Sequence, residues 1–283
     1  MKHYHPIYSY SNFVKIKYIE AASSFPLSAP EFRSLAPMFS SITKVNFVAM
    51  PGWAVKDQEL LGLLHLERLH GLSICGDSLF PCGATFNGGV LPLLKKFGPT
   101  SLTSLFLCYI DNGINIRTIV EYCPLLEKLD IETFEVEGTE ASPDQSDLRP
   151  SKRIKSDFIL EKLKILKLYR MSIDVGDISS ENLDLLLSSP ALVKLVFDLS
   201  GTLNDSSLRK AENLHQFRNL EELEFIACPN LTNQGIDIFM SEHNSLKVLK
   251  IDSCEPWEQE VEEWRKMARE KNWALDIEYT YDE

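Results

Sequence analysis

The stretch LEELEFIACPNLTNQGI, from Leu220 to Ile236, carries the clearest repeated pattern of the chain. Its apolar residues and its cysteine follow the frame L-x-x-L-x-L-x-x-C-x-L, and they are Leu220, Leu223, Phe225, Cys228 and Leu231. Side chains alternate between the two faces of a strand, so Leu223 and Phe225 are predicted to point inward. The small Cys228 side chain is predicted to pack in the interior, at the turn that follows the strand.

The same frame recurs along nearly the whole chain. The next unit, LKVLKIDSC, has it at Leu246, Leu249, Ile251 and Cys254. Ten units are predicted to begin at residues 13, 42, 69, 102, 126, 163, 192, 220, 246 and 272. The inward strand positions of the two terminal units are Ile16 and Tyr18, and Leu275 and Ile277. A mean spacing of roughly 29 residues is typical of leucine-rich repeats.

Helices are predicted between the strands. Leu183, Leu186 and Leu187, for example, form an apolar stripe at helical spacing before Pro190. One unit cannot bury its own apolar face, so neighbouring units must stack to form a core. We therefore predict an α/β leucine-rich-repeat solenoid of about ten repeats. It would be a horseshoe with parallel strands on the concave face and helices on the convex face.

The repeats predict a single domain at residues 13–283, after an N-terminal tail at residues 1–12. An exposed insertion is predicted at about 135–157, because the composition there shifts to polar residues with Gly and Pro. A capping helix is predicted at about 257–271, with one apolar face formed by Trp257, Val261, Trp264 and Ala268. We expect this face to pack on the last repeat, and the alternative is a docking groove for a partner.

Charge and composition exclude several classes of protein. The chain has 283 residues and a net charge of −12, which argues against a binder of duplex nucleic acid. No apolar run is long enough to span a membrane, and the N-terminus lacks the apolar segment of a signal peptide. The six cysteines have no disulfide or zinc spacing, so we expect a reducing compartment, cytoplasmic or nuclear, and neither metal nor cofactor.

Two short motifs suggest further functions. Gly76 to Leu79 reads GDSL and resembles the nucleophile block of GDSL esterases, with Ser78 as the nucleophile. The Asp-x-x-His pair of that family is missing, so an esterase is the lesser alternative and we expect no enzyme. Lys152, Arg153 and Lys155 form a basic cluster that resembles a nuclear-import signal, and the alternative is a solvated loop.

The cysteine-containing units resemble those of F-box/leucine-rich-repeat proteins. The resemblance lies in LEELEFIACPNLTNQGI, in LKVLKIDSC and in VEYCPLLEKLDI, which spans Val120 to Ile131. It implies substrate recognition for a cullin-type (SCF) ubiquitin ligase, in which an F-box binds the adaptor. Only about twelve residues precede the first unit, so we expect adaptor binding only from a longer form that carries an F-box. The alternative is a stand-alone scaffold or inhibitor.

A protein partner is expected on the concave strand face. The outward strand positions predicted to contact it are Phe106, Tyr169, Lys167, Asp198, Glu222, Glu224, Lys250 and Asp252. Phe106 and Tyr169 are the candidate anchors, and the charged residues would set orientation and encounter rate. The alternative is that these are ordinary solvated residues with the aromatic rings stacked on each other. We expect the chain to be a monomer.

Overall fold

The computed structural model describes residues 18–21, 42–48, 55–76, 82–111, 113–132, 160–169, 178–198, 200–214, 217–240, 245–254 and 258–280. Its strands are β1 Tyr18–Ala21, β2 Lys44–Val48, β3 Gly71–Cys75, β4 Cys82–Thr85, β5 Ser104–Cys108, β6 Ile110–Asp111, β7 Lys128–Glu132, β8 Ile165–Tyr169, β9 Lys194–Asp198, β10 Glu222–Ile226, β11 Val248–Asp252 and β12 Asp276–Thr280. Its α-helices are α1 Asp57–Gly62, α2 Leu91–Phe97, α3 Ile116–Tyr122, α4 Ser180–Leu187, α5 Asp205–Asn213, α6 Asn233–Ile236 and α7 Glu258–Glu270. A π-helical turn, Phe86–Val90, precedes α2.

Ten of these strands form one parallel sheet, in the order in which they follow along the chain. The order is β1, β2, β3, β5, β7, β8, β9, β10, β11 and β12. β4 and β6 form a separate parallel pair. Consecutive strands of this sheet lie next to each other, and the segment after each strand leads back to the start of the next one. This arrangement gives a solenoid-like α/β fold.

The predicted inward residues of the interior units line up across the sheet. One continuous set of paired positions is Val45, Leu72, Leu105, Leu129, Leu166, Leu195, Leu223 and Leu249. A second set, two residues further along each strand, is Phe47, Ile74, Leu107, Ile131, Leu168, Phe197, Phe225 and Ile251. Both sets are buried, so the predicted alignment of the interior units is confirmed.

The register predicted for the two terminal units is wrong. Ile19, and not Ile16, pairs with Val45, so Tyr18 lies opposite Lys44 at an outward register position. This slip is three residues, and an odd slip exchanges the two faces of a strand. At the other end Ile277, and not Leu275, pairs with Leu249. That slip is two residues, which keeps the outward positions of β12 outward.

The error in the last unit has a local cause at Asn272. The sequence frame uses Asn272 as the first position of a repeat, but in the structure it ends helix α7 with a φ of 54°. The N–H of Trp273 donates to the carbonyl of Ala268 at 2.9 Å, which closes the last helical turn. Asparagine is one of the few residues that adopt this left-handed conformation readily at a helix end.

The helices cover the inward face of the sheet and share one buried cluster with it. The predicted stripe of α4 is buried at Leu183, Leu186 and Leu187. Four helix starts are capped by a side-chain oxygen that accepts a backbone N–H, at Asn115, Ser179, Asn204 and Thr232. Such caps satisfy N–H groups that the helix itself leaves unpaired, and they define where each helix begins.

The C-terminal helix α7 packs by its apolar face against the end of the sheet. Val261, Trp264 and Ala268 are buried, and the indole N–H of Trp264 donates to Asp237 Oδ1 at 2.8 Å. The guanidinium of Arg265 donates to the carbonyl of Ile277 in β12. The predicted tail, the insertion at 135–157 and Trp257 lie outside the described residues.

Among the described helices, none combines the length and the apolar character needed to cross a lipid bilayer.

Candidate functional site: the open face of the sheet

The sheet face that points away from the helices carries three rows of side chains, and we call it the open face. The first row consists of Lys44, Gly71, Ser104, Lys128, Ile165, Lys194, Glu222, Val248 and Asp276. The central row consists of Asn46, Ser73, Phe106, Asp130, Lys167, Val196, Glu224, Lys250 and Glu278. The third row consists of Cys75, Cys108, Glu132, Tyr169, Asp198, Ile226, Asp252 and Thr280.

All eight residues predicted to contact a partner lie on the open face, but they do not form one cluster. Phe106 lies on β5 and Tyr169 on β8, and strand β7 separates them. At about 4.8 Å per strand the backbones of the two residues stand roughly 10 Å apart across the sheet, and the residues belong to different rows. They are therefore not stacked on each other. Instead, the ammonium of Lys167 lies 5.9 Å from the centre of the Tyr169 ring, within the range of a cation–π contact.

Several charges of the open face are paired within the chain. Lys194 Nζ lies 2.5 Å from Glu222 Oε2, and Lys250 Nζ lies 2.6 Å from Glu278 Oε2. The hydrogen bond to Glu278 raises the pKa of Lys250 above its ordinary value. Exposed pairs of this kind contribute little to stability, so a partner could replace them at small cost.

Asp252 is also occupied within the chain. Its Oδ1 accepts hydrogen bonds from Thr280 Oγ1 at 2.7 Å and from Ser253 Oγ at 3.1 Å. Part of the hydrogen-bonding capacity at the acidic end of the open face is therefore already used within the chain before any partner binds.

Asp130 was not predicted from the sequence as a site residue, and it lies between Phe106 and Lys167 in the central row. Asp130 is only 8% exposed. Its Oδ2 lies 3.8 Å from Lys128 Nζ, whereas its Oδ1 is buried and accepts no hydrogen bond from any described residue. Burial raises the pKa of the Asp130 carboxyl above its ordinary value, although Lys167 and Lys128 act in the opposite direction.

A depression lies on the open face beside Asp130, and we call it the Asp130 notch. It has a volume of about 380 Å³. The side chains that line it are Lys44, Asn46, Ser73, Ser104, Phe106, Lys128 and Asp130, with Gly71 between them. The notch exists because Gly71, Ser73 and Ser104 are small and their neighbours in the same rows are large.

Five cysteines have described side chains, and none of the five is in a disulfide: Cys75, Cys108, Cys123, Cys228 and Cys254. Cys228 and Cys254 are 1% and 2% exposed, as the interior packing predicted for them requires. Cys75 and Cys108 pair in register on β3 and β5, and the hydrogen bond between their thiols, followed by burial, raises the pKa of Cys108. Burial raises the pKa of the Cys123 thiol to about 12.

Other predicted sites are untested by the structure. Ser78 and the cluster of Lys152, Arg153 and Lys155 lie outside the described residues. Within the described ranges, no three His, Cys, Asp or Glu side chains converge in a way that could hold a metal ion.

No protein-family model matches the chain, and no curated protein matches it. The structure is similar to a chain in the crystal structure of the Rad7 and Elc1 complex in yeast, with a TM-score of 0.41 and 16% sequence identity. The match covers 83% of this chain and 69% of that chain. A likeness at this level transfers no function.

Proposed function

We propose that this chain is a protein-binding leucine-rich-repeat module that captures its partner on the open face. The observation that supports this most strongly is the sheet itself. Parallel sheets are usually covered on both faces, but helices cover only the inward face among the described elements. Solenoids use such a free strand face for binding.

The shape proposed for the module follows from two packing distances. Neighbouring strands stand about 4.8 Å apart, whereas packed helices need about 8–10 Å. Stacked units with one strand and one helix each must therefore bend, with the strands on the inside. We propose a single domain at residues 13–283 with about ten repeats, in which the open face is concave.

The anchors proposed are Phe106 and Tyr169, half-buried aromatic residues in the middle strands. Aromatic side chains near the centre of an interface contribute a large part of the binding energy. The charged residues Lys167, Asp198, Glu222, Glu224, Lys250 and Asp252 would orient the partner.

The resemblance of the repeats to F-box/leucine-rich-repeat proteins supports a more specific role. We propose substrate recognition for a cullin-type ubiquitin ligase, with the adaptor bound by a longer form that carries an F-box. A cytoplasmic or nuclear location fits this role, with Lys152, Arg153 and Lys155 as the import cluster. A stand-alone scaffold or inhibitor is the alternative.

Affinity capture followed by mass spectrometry tests the proposal. The baits are the wild-type chain, the double variant Phe106→Ala with Tyr169→Ala, and the matched control Leu214→Ala. Leu214 is 58% exposed and follows helix α5, away from the open face. We expect the double variant to lose at least about tenfold of the specific partner signal, and the control to keep it.

Two outcomes would contradict the proposal in different ways. Equal capture by the double variant and the wild type would remove the open face as the binding surface. The second outcome is that the open face captures a partner but no cullin adaptor binds the longest form found in the native cell. This result would favour the stand-alone scaffold over the ligase subunit.

A further inference from the structure

We propose that the Asp130 notch accepts the ring of a tyrosine or tryptophan from an acidic segment of the partner, with the O–H or N–H of the ring donating to Asp130 Oδ1. This inference rests on the proposed function, because it names the side chain that the open face would recognise. Three features of the notch support it independently: an unsatisfied acceptor, a space of suitable size beside an aromatic wall, and the charge around both.

The acceptor is Asp130 Oδ1. It is buried and accepts no hydrogen bond from any residue in the described ranges. Buried polar atoms in folded proteins almost always have a partner, and leaving one unpaired costs about 1–3 kcal/mol. Asp130 lines the notch, but its Oδ1 is shielded from solvent, so a donor in the notch would reach Oδ1 and remove this cost only after Lys128 or the carboxylate itself moves. Flexible side chains such as Lys128 can move aside to let the donor approach.

The space fits one large side chain. Its volume of about 380 Å³ exceeds that of a single aromatic side chain and leaves room for the flanking backbone. Phe106 forms an aromatic wall, and aromatic rings prefer to pack against each other in tilted or offset arrangements. A Cβ on Gly71 would stand 3.2 Å from Lys44 Cγ, so the glycine leaves room for the Lys44 side chain beside the notch.

The charge around the notch selects the kind of donor. Lys44 and Lys128 line it, and Lys167 pairs in register with Asp130. These three lysines would together repel an arginine or lysine from the partner, so a neutral donor is favoured. Carboxylates that flank the aromatic residue would face these lysines. Tyrosine and tryptophan are the side chains that join a large ring to a neutral donor.

Two peptides provide the test. The probes are acetyl-Glu-Glu-Tyr-Glu-Glu-amide and the same peptide with phenylalanine in place of tyrosine, titrated into the isotope-labelled full chain and followed by NMR. We expect the tyrosine peptide to shift the backbone amides of Phe106 and Asp130, and to bind at least about tenfold tighter than the phenylalanine peptide. In Asp130→Ala the two peptides should bind equally. In Glu278→Ala, an exposed carboxylate at the far end of the central row, the tenfold ratio should remain.

The inference is overturned if the wild-type chain binds both peptides equally, or if Asp130→Ala keeps the ratio. Absence of shifts at Phe106 and Asp130 up to about 5 mM peptide would also overturn it. If Asp130→Ala fails to fold, the comparison of the two peptides on the wild-type chain decides alone. If the peptide titration contradicts the notch proposal but the open face still captures a partner, the proposed function is retained. If the wild-type chain prefers the tyrosine peptide but the double variant of Phe106 and Tyr169 captures the partner as well as the wild type does, the proposed function is wrong instead.

Discussion

Asp130 and Asn182 each bury one side-chain oxygen that accepts no hydrogen bond from the described part of the chain. Asn182 lies near the start of α4, on the helix side, and its amide is neutral at every pH. Asp130 is different because its carboxyl can ionise. Lys128 and Lys167 act favourably on the ionised carboxyl, but burial still raises its pKa, so the cost of burying Asp130 depends on pH.

The first prediction concerns the variant Asp130→Asn. Burial raises the pKa of Asp130 in the folded chain, so the folded state holds its proton at pH values where the unfolded state has lost it. The wild type therefore loses stability as the pH rises from the ordinary carboxyl pKa through the raised one. We expect Asp130→Asn to be more stable than the wild type by about 1 kcal/mol at pH 7, and the difference to shrink towards pH 4.

Urea denaturation of both proteins across this pH range measures the effect. Glu263→Gln, on the exposed side of α7, controls for the loss of one negative charge. Denaturation curves of the wild type and Asp130→Asn that keep a constant separation at every pH would contradict this account.

Among the helical elements, a carboxylate at the start of one segment accepts hydrogen bonds from the threonine that caps the next segment at two places. We call each of these links a tie. Asp205 begins α5, and its carboxylate accepts from the N–H of Thr232 at 2.9 Å and from Thr232 Oγ1 at 2.6 Å. Thr232 in turn caps α6. Asp57 begins α1 and accepts from the same two groups of Thr85, at 2.7 Å and 3.0 Å, and Thr85 caps the π-helical turn.

A glycine completes each of these ties. A Cβ at Gly235 would stand 2.4 Å from Asp205 Oδ1, and a Cβ at Gly88 would stand 2.1 Å from Asp57 Oδ2. The shared sequence pattern is an aspartate at the first helical position, followed in the next unit by T-x-x-G. Only a residue without a side chain lets the carboxylate approach the next helix start this closely.

The second prediction tests this tie. Asp205→Ala leaves the N–H and the hydroxyl of Thr232 without their acceptor, so we expect the free energy of unfolding to fall by about 1–2 kcal/mol. Thr232→Val should cost a similar amount, and the double variant should cost less than the two together because they share one interaction. Chemical denaturation measures all three, with Ser206→Ala, an exposed neighbour, as the control. Additive effects would show that the tie does not couple the two helices.

At the scale of the whole molecule, stability comes from contacts between neighbouring units. Leu129, Leu166 and Leu195 pair in register and are fully buried. Each of these side chains packs between its neighbours, so removal of one leaves a cavity shared by three units.

The third prediction follows from this stacking. Leu166→Ala should lower the free energy of unfolding by about 2–5 kcal/mol, because the rigid stack cannot close the cavity. In hydrogen exchange, the amides of β7, β8 and β9 should lose protection more than those of β11 and β12, since units contact only their neighbours. Equal loss of protection across the whole sheet would mean that the chain unfolds as one cooperative block.

The strand frame of the eight interior units, the inward direction of their leucines and the burial of Cys228 and Cys254 follow from the sequence. These features depend on a local rule, the alternation of side chains along a strand, repeated often enough to be unambiguous. The rule fails at the two ends. There the sheet offers a neighbour on one side only, and Asn272 serves as a helix end and not as a repeat position.

The placement of Phe106, Lys167 and Tyr169 on the open face also follows from the frame, but their surroundings do not. The burial of Asp130, the Asp130 notch, the pair of Lys194 with Glu222 and the tie of Asp205 with Thr232 join residues from different units. Which side chains meet across units depends on the register and on the size of each neighbour. Both are properties of the stacked chain, so they cannot be predicted from the pattern within one unit.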